Sequence, residues 1–265
     1  MEVLTFDDNY TLEDFGMANA RGNEQTMFGA ITARSEKVPG RKGLLDFGNE
    51  IGAGTEKFPI LVKSNNPIER SYLIRAFKNF LLDEYGYPRM IKIHKSTEPD
   101  VYYYGKISVA PTPELYSNAG MLNLEITNYN GVKYSKFEAN EILWGSQQID
   151  FQDGYLLGNT GSGANELRVT GNISISPTVS GSAVFPYLVL VGHGSDVVIT
   201  SNGKSIQIGN FNGTLEIDCA NFISYLNGAE KLIQMDKFQL VRGKAILISG
   251  SNMNFTLTNN FRDEL

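Results

Sequence analysis

The chain has 265 residues, enough for two domains with cores of their own. Its formal charge of -6 is shared by both halves, -4 over residues 1–150 and -2 over 151–265, which excludes a general grip on nucleic acid, since clustered Lys and Arg supply that affinity. The single cysteine, Cys219, cannot close an intrachain disulfide, and with only two histidines far apart no zinc cluster can form.

The first eight residues hold no basic region followed by an apolar core, and apolar runs such as Tyr187 to Val191 are far shorter than a bilayer span. The chain therefore reads as soluble, without a standard export signal and without membrane insertion. The closing Arg262-Asp263-Glu264-Leu265 looks like a retrieval signal, but such a signal acts only on a protein inside the endoplasmic reticulum. The glycosylation patterns at Asn9, Asn172, Asn212 and Asn254 read as turns and strand ends.

In chain order, the first distinctive stretch runs from Lys37 to Gly54, with five glycines and three basic side chains. It lacks the spacing of a phosphate-binding loop, and no helix start follows. Pro39-Gly40 and Gly43 read as turn residues with Arg41 and Lys42 at the tip, leading into a short strand through Leu44, Leu45 and Phe47. Asn66-Pro67-Ile68-Glu69 then has the order of a helix start: a capping side chain, a first-turn proline and a third-position acid. The spacing of Leu73, Phe77, Phe80 and Leu81 predicts a helix over 67–85, ended by Gly86 and Pro88, that covers one side of a small β-barrel or sandwich.

Strands follow. Ile91 and Ile93 alternate with Lys92 and His94, which places His94 on the solvent side, and Leu122, Leu124 and Ile126 alternate with polar residues. The division into 1–138 and 139–265 is placed ahead of a loop rich in glycine at 158–163. Beyond it, Ile173 with Ile175, Leu215 with Ile217 and Phe255 with Leu257 mark half-buried strands. Asn-Gly pairs beginning at Asn130, Asn202, Asn212 and Asn227 predict tight hairpins. The predicted fold class is mainly β, with one helix.

Catalytic constellations are weak. His193-Gly194-Ser195-Asp196 is the best local cluster for nucleophilic chemistry, but its neighbours read as strands, so a hairpin turn explains it better. Asp83-Glu84 at the helix end has no partner across a bond, as glycosidase chemistry needs. The glycines at 158–163 lack a dinucleotide fingerprint. No cofactor, metal or catalytic residue is assigned, and the chain is read as no enzyme.

The order of motifs is more informative than any one. Thr5-Phe6-Asp7-Asp8 and Leu12-Glu13-Asp14-Phe15-Gly16 precede Val38-Pro39-Gly40-Arg41-Lys42-Gly43-Leu44-Leu45-Asp46-Phe47, the helix, and Tyr102-Tyr103-Tyr104-Gly105-Lys106-Ile107. In the second half come Leu215-Glu216-Ile217-Asp218-Cys219, Tyr225-Leu226-Asn227-Gly228 and Phe238-Gln239-Leu240-Val241-Arg242-Gly243-Lys244-Ala245-Ile246. This arrangement resembles the distal tail proteins of siphovirus-type bacteriophages over the whole chain. It departs from the family at Lys42, where an acid is usual, and at Gln239 and Lys244, where the family tends to Pro and Asn.

The resemblance implies an N-terminal ring-forming domain with an extended hairpin, a galectin-like C-terminal β-sandwich, and a virion tail-tip location after assembly in the host cytoplasm. It implies a hexameric ring joining the tail tube to the host-recognition apparatus, with DNA passing through a lumen that the acidic charge would keep from holding it. Implied partners are other copies of the chain, the tail tube protein, a tail-associated hub or fibre protein and the tape measure protein. A ring closes through head-to-tail interfaces, and the candidate interface residues are Gly40, Arg41, Gly43, Leu44, Leu45 and Phe47. The rival reading is a lectin-like module for cell-wall glycans. It is poorly served, since the only tryptophan is Trp144 and residues 172–265 hold only His193.

Overall fold

The computed structural model describes residues 2–26, 29–40, 42–116, 119–138, 141, 166–179, 181–262 and 264. It divides into two compact units, Met1–Lys133 and Tyr134–Leu265. The glycine loop at 158–163, Trp144 and Arg41 lie outside the described residues.

Unit 1 begins with β1 (Leu4–Phe6), β2 (Tyr10–Thr11), β3 (Met17–Asn19) and β4 (Glu24–Gln25), followed by β5 (Ile31–Glu36), β6 (Leu45–Ile51) and β7 (Gly54–Val62). Helix α1 (Pro67–Leu81) precedes β8 (Ile91–Lys95), β9 (Glu98–Val109), β10 (Glu114–Leu115) and β11 (Gly120–Asn128). The main antiparallel sheet runs β2-β1-β8-β9-β11-β7-β3, an open path curved into a half-barrel around one core. Its longest ladder pairs β11 with β7 from Gly120 opposite Val62 to Asn128 opposite Gly54. Alternation dictates which residues face inward: Phe58, Ile60 and Val62 on β7 meet Leu122, Leu124 and Ile126 on β11, with Leu4, Phe6, Ile91 and Ile93 beside them.

Helix α1 covers this core with Phe77 and Leu81, both 2% exposed, while Leu73 and Phe80 pack at its margin. Burial of each such side chain contributes about 1.5–3 kcal/mol. The rings of Phe6, Phe15, Phe77 and Phe80 cluster with centroids 5.0–6.5 Å apart. At the helix start, Ile68 N–H donates to Asn66 Oδ1 at 2.9 Å. The expected capping box runs through a relay: Asn66 N–H donates to Ser64 Oγ, and that hydroxyl donates to Glu69 Oε2. The helix ends at Leu81, four residues before the expected Tyr85, because Asp83 Oδ1 accepts from the backbone N–H of Tyr85 and Tyr87 and folds 83–87 into a turn.

Unit 2 holds β12 (Tyr134–Ser135), β13 (Glu166–Val169), β14 (Ile173–Ile175), β15 (Tyr187–Ser201), β16 (Lys204–Asp218), β17 (Ile223–Leu226), β18 (Ala229–Glu230), β19 (Gln234–Met235) and β20 (Ile246–Asn260). Its sheet runs β13-β20-β15-β16-β17-β18, with β14 on β20 and β19 on β16. The three 15-residue strands each change phase partway. On β15 the buried residues are Leu188 and Leu190, then Val197 and Ile199; on β16 they are Ile206 and Ile208, then Phe211, Leu215 and Ile217; on β20 they are Ile246 and Ile248, then Met253, Phe255 and Leu257. Each change coincides with a residue in the left-handed region, Asp196 (φ 51°), Gly209 (φ 68°) or Asn252 (φ 48°). An extra residue in a strand turns its inner face outward, and here it also bends the strand so that both halves line one core. The result is the galectin-like β-sandwich that the resemblance implies.

Two turn expectations are corrected. His193-Gly194-Ser195-Asp196 is no hairpin but the bulge within continuous β15, held where Asp196 N–H donates to Asn210 Oδ1 at 3.0 Å. Asn212-Gly213 lies inside β16, where Gly213 takes a φ of 115° that favours glycine and lies against the Asn227 side chain, whose Oδ1 accepts from Thr214 N–H. The Asn202-Gly203 and Asn227-Gly228 pairs do turn hairpins, with φ of 47° and 72°, and of 52° and 79°.

Candidate functional site

Strands β5 and β6 form a two-stranded sheet of their own, outside the half-barrel. The ribbon is longer than the expected stretch from Lys37: its first strand, Ile31–Glu36, has only Ile31 and Ala33 as apolar residues, too short an alternation to mark a strand in sequence. Every residue of β5 is exposed, and every residue of β6 except half-buried Leu45. A two-stranded ribbon without a hydrophobic face is at best marginally stable alone in water, so this one depends on its root or on a partner.

The root is tightly built. Gly52 N–H donates to Ala30 O at 2.6 Å and Ala30 N–H to Ala53 O at 3.0 Å. Gly52 O sits where a Cβ on Gly29 or Gly131 would be, 1.9 and 2.4 Å away, so glycine is required at both positions. Further out, Gly48 (φ 92°) and Phe47 stand together opposite Arg34 in a bulge, with Asp46 Oδ1 accepting from Gly48 N–H at 2.8 Å. Arg34 pairs with Glu50 across the strands. The tip turns at Gly40 (φ 84°) and Gly43 (φ 87°).

Of the six residues singled out in the sequence, the structure places Gly40 and Gly43 in exposed turns, Leu44 after the tip at 61% exposure, half-buried Leu45 at the start of β6, and Phe47 on the strand at 62% exposure. Ile31 and Ile51, directly paired near the root, add further exposed apolar surface beyond those six residues. Of the 24 exposed large hydrophobic residues among those described, 17 belong to unit 1, with Ile31, Leu44, Phe47 and Ile51 together on or beside the ribbon.

His94 and Cys219, two groups suited to chemistry, are engaged or shielded. His94 is no free surface residue: its Nε2 lies 2.6 Å from Asp8 Oδ1, and its side chain is only 13% exposed. Lys92, bonded to Asp8 at 2.9 Å, holds that carboxyl below its usual range, with His94 adding to the effect against partial desolvation. Burial, with the Asp218 charge adding to it, pushes the Cys219 thiol up to about 12, which leaves it protonated and unreactive at neutral pH. Among the described residues no group of three His, Cys, Asp or Glu side chains could hold a metal ion, and no helix is long and apolar enough to cross a membrane.

The half-barrel with its covering helix and separate ribbon, followed by the β-sandwich unit, shares its fold with a solved phage protein. The chain superposes on the Dit protein (gp 19.1) of phage SPP1, a hub of the adsorption apparatus in phages infecting Gram-positive bacteria, with a TM-score of 0.70 over 99% of both chains. Sequence identity is 15%, so this likeness is one of fold. Chains of the phage P2 baseplate in its activated conformation, with calcium or with strontium, give TM-scores of 0.40 over 98% of both chains at 8% and 9% identity, too distant a match to carry an argument. No protein-family model matches the sequence, and no curated protein does.

Proposed function

We propose that this chain is a structural protein of a phage tail tip whose copies close into a six-membered ring, joining the tail tube to the host-recognition apparatus and leaving a lumen for the genome. The observation that carries this reading is the ribbon of β5 and β6, a projecting element that buries almost none of its own side chains and ends in exposed Leu44 and Phe47. Such an element has a physical reason to persist only when another surface covers it. The shared fold with the SPP1 Dit protein supports the same role. The partners that follow are further copies of the chain, the tail tube protein, a hub or fibre protein and the tape measure protein.

Native mass spectrometry and electron micrographs of the purified protein test the proposal. Six-chain particles with a central hole are expected. A single chain at every concentration, or specific affinity for a cell-wall glycan from a stable monomer, would overturn it.

A further inference from the structure

Unit 1 leaves a second apolar surface open besides the ribbon. A groove of about 370 Å³ lies between α1 and the segment after β9, lined by Ile74, Phe77, Leu81, Ile107, Pro111 and Pro113. That volume falls in the range of sites that take up apolar groups, about 300–1,000 Å³. Among the described residues, Lys78 is the only charged one in its wall. Pro111 and Pro113 have no N–H to donate, so at these two wall positions the backbone offers no ladder donor before β10 pairs with β11.

Acidic residues stand at both ends of this wall. Asp83 and Glu84 directly follow the lining residue Leu82, Glu114 directly follows Pro113, and all three are exposed. Between its two strands the ribbon tip has the opposite character, with exposed Lys37 and Lys42 and with Leu44 and Phe47 just beyond, while the strands themselves set Arg34 against Glu36, Asp46 and Glu50. A closed ring needs two different, complementary surfaces on each copy, since its contacts run head to tail. Unit 1 carries such a pair: a ribbon whose tip is basic and apolar, and an apolar recess with acidic ends.

We propose that the groove between α1 and Pro111 receives the ribbon of a second copy of the chain, with Leu44 and Phe47 as the apolar anchors. Lys37 and Lys42 then meet Asp83, Glu84 and Glu114, which sets the direction of docking. This inference rests on the ring reading and adds to it the surface on which each ribbon lands.

The test mixes protein carrying Leu44→Cys with protein carrying Ala110→Cys under mild oxidation. The native Cys219 is buried and does not compete. A disulfide joining positions 44 and 110, found by peptide mapping in the mixture and absent from either preparation alone, is the expected result. Ala110→Trp, which fills the groove from an exposed rim position, should convert rings to single chains with an unchanged circular dichroism spectrum. Rings that form without the cross-link and survive Ala110→Trp overturn the groove as the docking surface while leaving the ring intact. Wild-type protein that stays a single chain at every concentration overturns the ring and the docking together.

Discussion

Lys95 shows how the half-barrel holds a charge in its interior. Its side chain is 4% exposed, and its Nζ lies 2.5 Å from Glu56 Oε2 and 2.5 Å from Gln25 Oε1, between the rings of Phe58 and Tyr103. Tyr103 also donates its hydroxyl to Glu56 at 2.8 Å, and burial together with the Glu56 charge raises the phenol well above its ordinary pKa. Removing one partner of such a pair leaves the other charge buried and unmatched. Lys95→Met is therefore expected to lower unfolding free energy by about 3–5 kcal/mol, read by urea denaturation, and the double variant Lys95→Met with Glu56→Leu to recover most of that loss. No recovery would mean that the pair is worth more than its desolvation cost. The placement was legible in part: Lys95 continues the inward phase of Ile91 and Ile93, and Glu56 shares that of Phe58, Ile60 and Val62. What no sequence pattern indicates is that β4 brings Gln25 to the same point, just before the chain enters the ribbon.

At the scale of elements, local chemistry sets where structure starts more firmly than where it stops. Asn66 and Pro67 define the start of α1, and Asn66→Ala should cost about 1 kcal/mol, measured as a shift in the urea midpoint without change in slope; an unchanged midpoint would show that tertiary packing alone holds this end. The far end depends on Asp83, whose carboxylate serves two backbone donors beyond the apolar repeat, so hydrophobic spacing overestimates the helix. The long strands of unit 2 teach the converse. Each inward pattern was correctly read as a strand over a few residues, but the phase change inside each strand looks in sequence like a break between two strands. Only the ladders of β15 with β16 and β20 show that the chain continues through the bulge.

For the whole molecule, the contrast is between a half-barrel that buries a core of its own and a ribbon whose side chains, apart from half-buried Leu45, all stay exposed. Phe47 is 62% exposed, and replacing so exposed a side chain changes the isolated fold by no more than about 0.5 kcal/mol. Replacing Leu45 and Phe47 together with Asp is expected to abolish ring assembly and leave a soluble, folded single chain, as read by native mass and circular dichroism. Full-sized rings from this variant would remove the ribbon from the interface.

The sequence by itself determined the mainly β class, the single helix and its cap, the phase of the core strands and the turn glycines at the ribbon tip, because each depends on residues a few positions apart. Tertiary structure alone decided that Ile31–Glu36 is a strand, that Asn212-Gly213 is straight rather than turned, that His94 is covered by Asp8, and that a groove opens beside α1. Those outcomes depend on what lies opposite in space, as with Asn227 against Gly213 or Asp8 beside His94. That physical separation explains why the ribbon could be suspected from its glycines while the surface proposed to receive it could not.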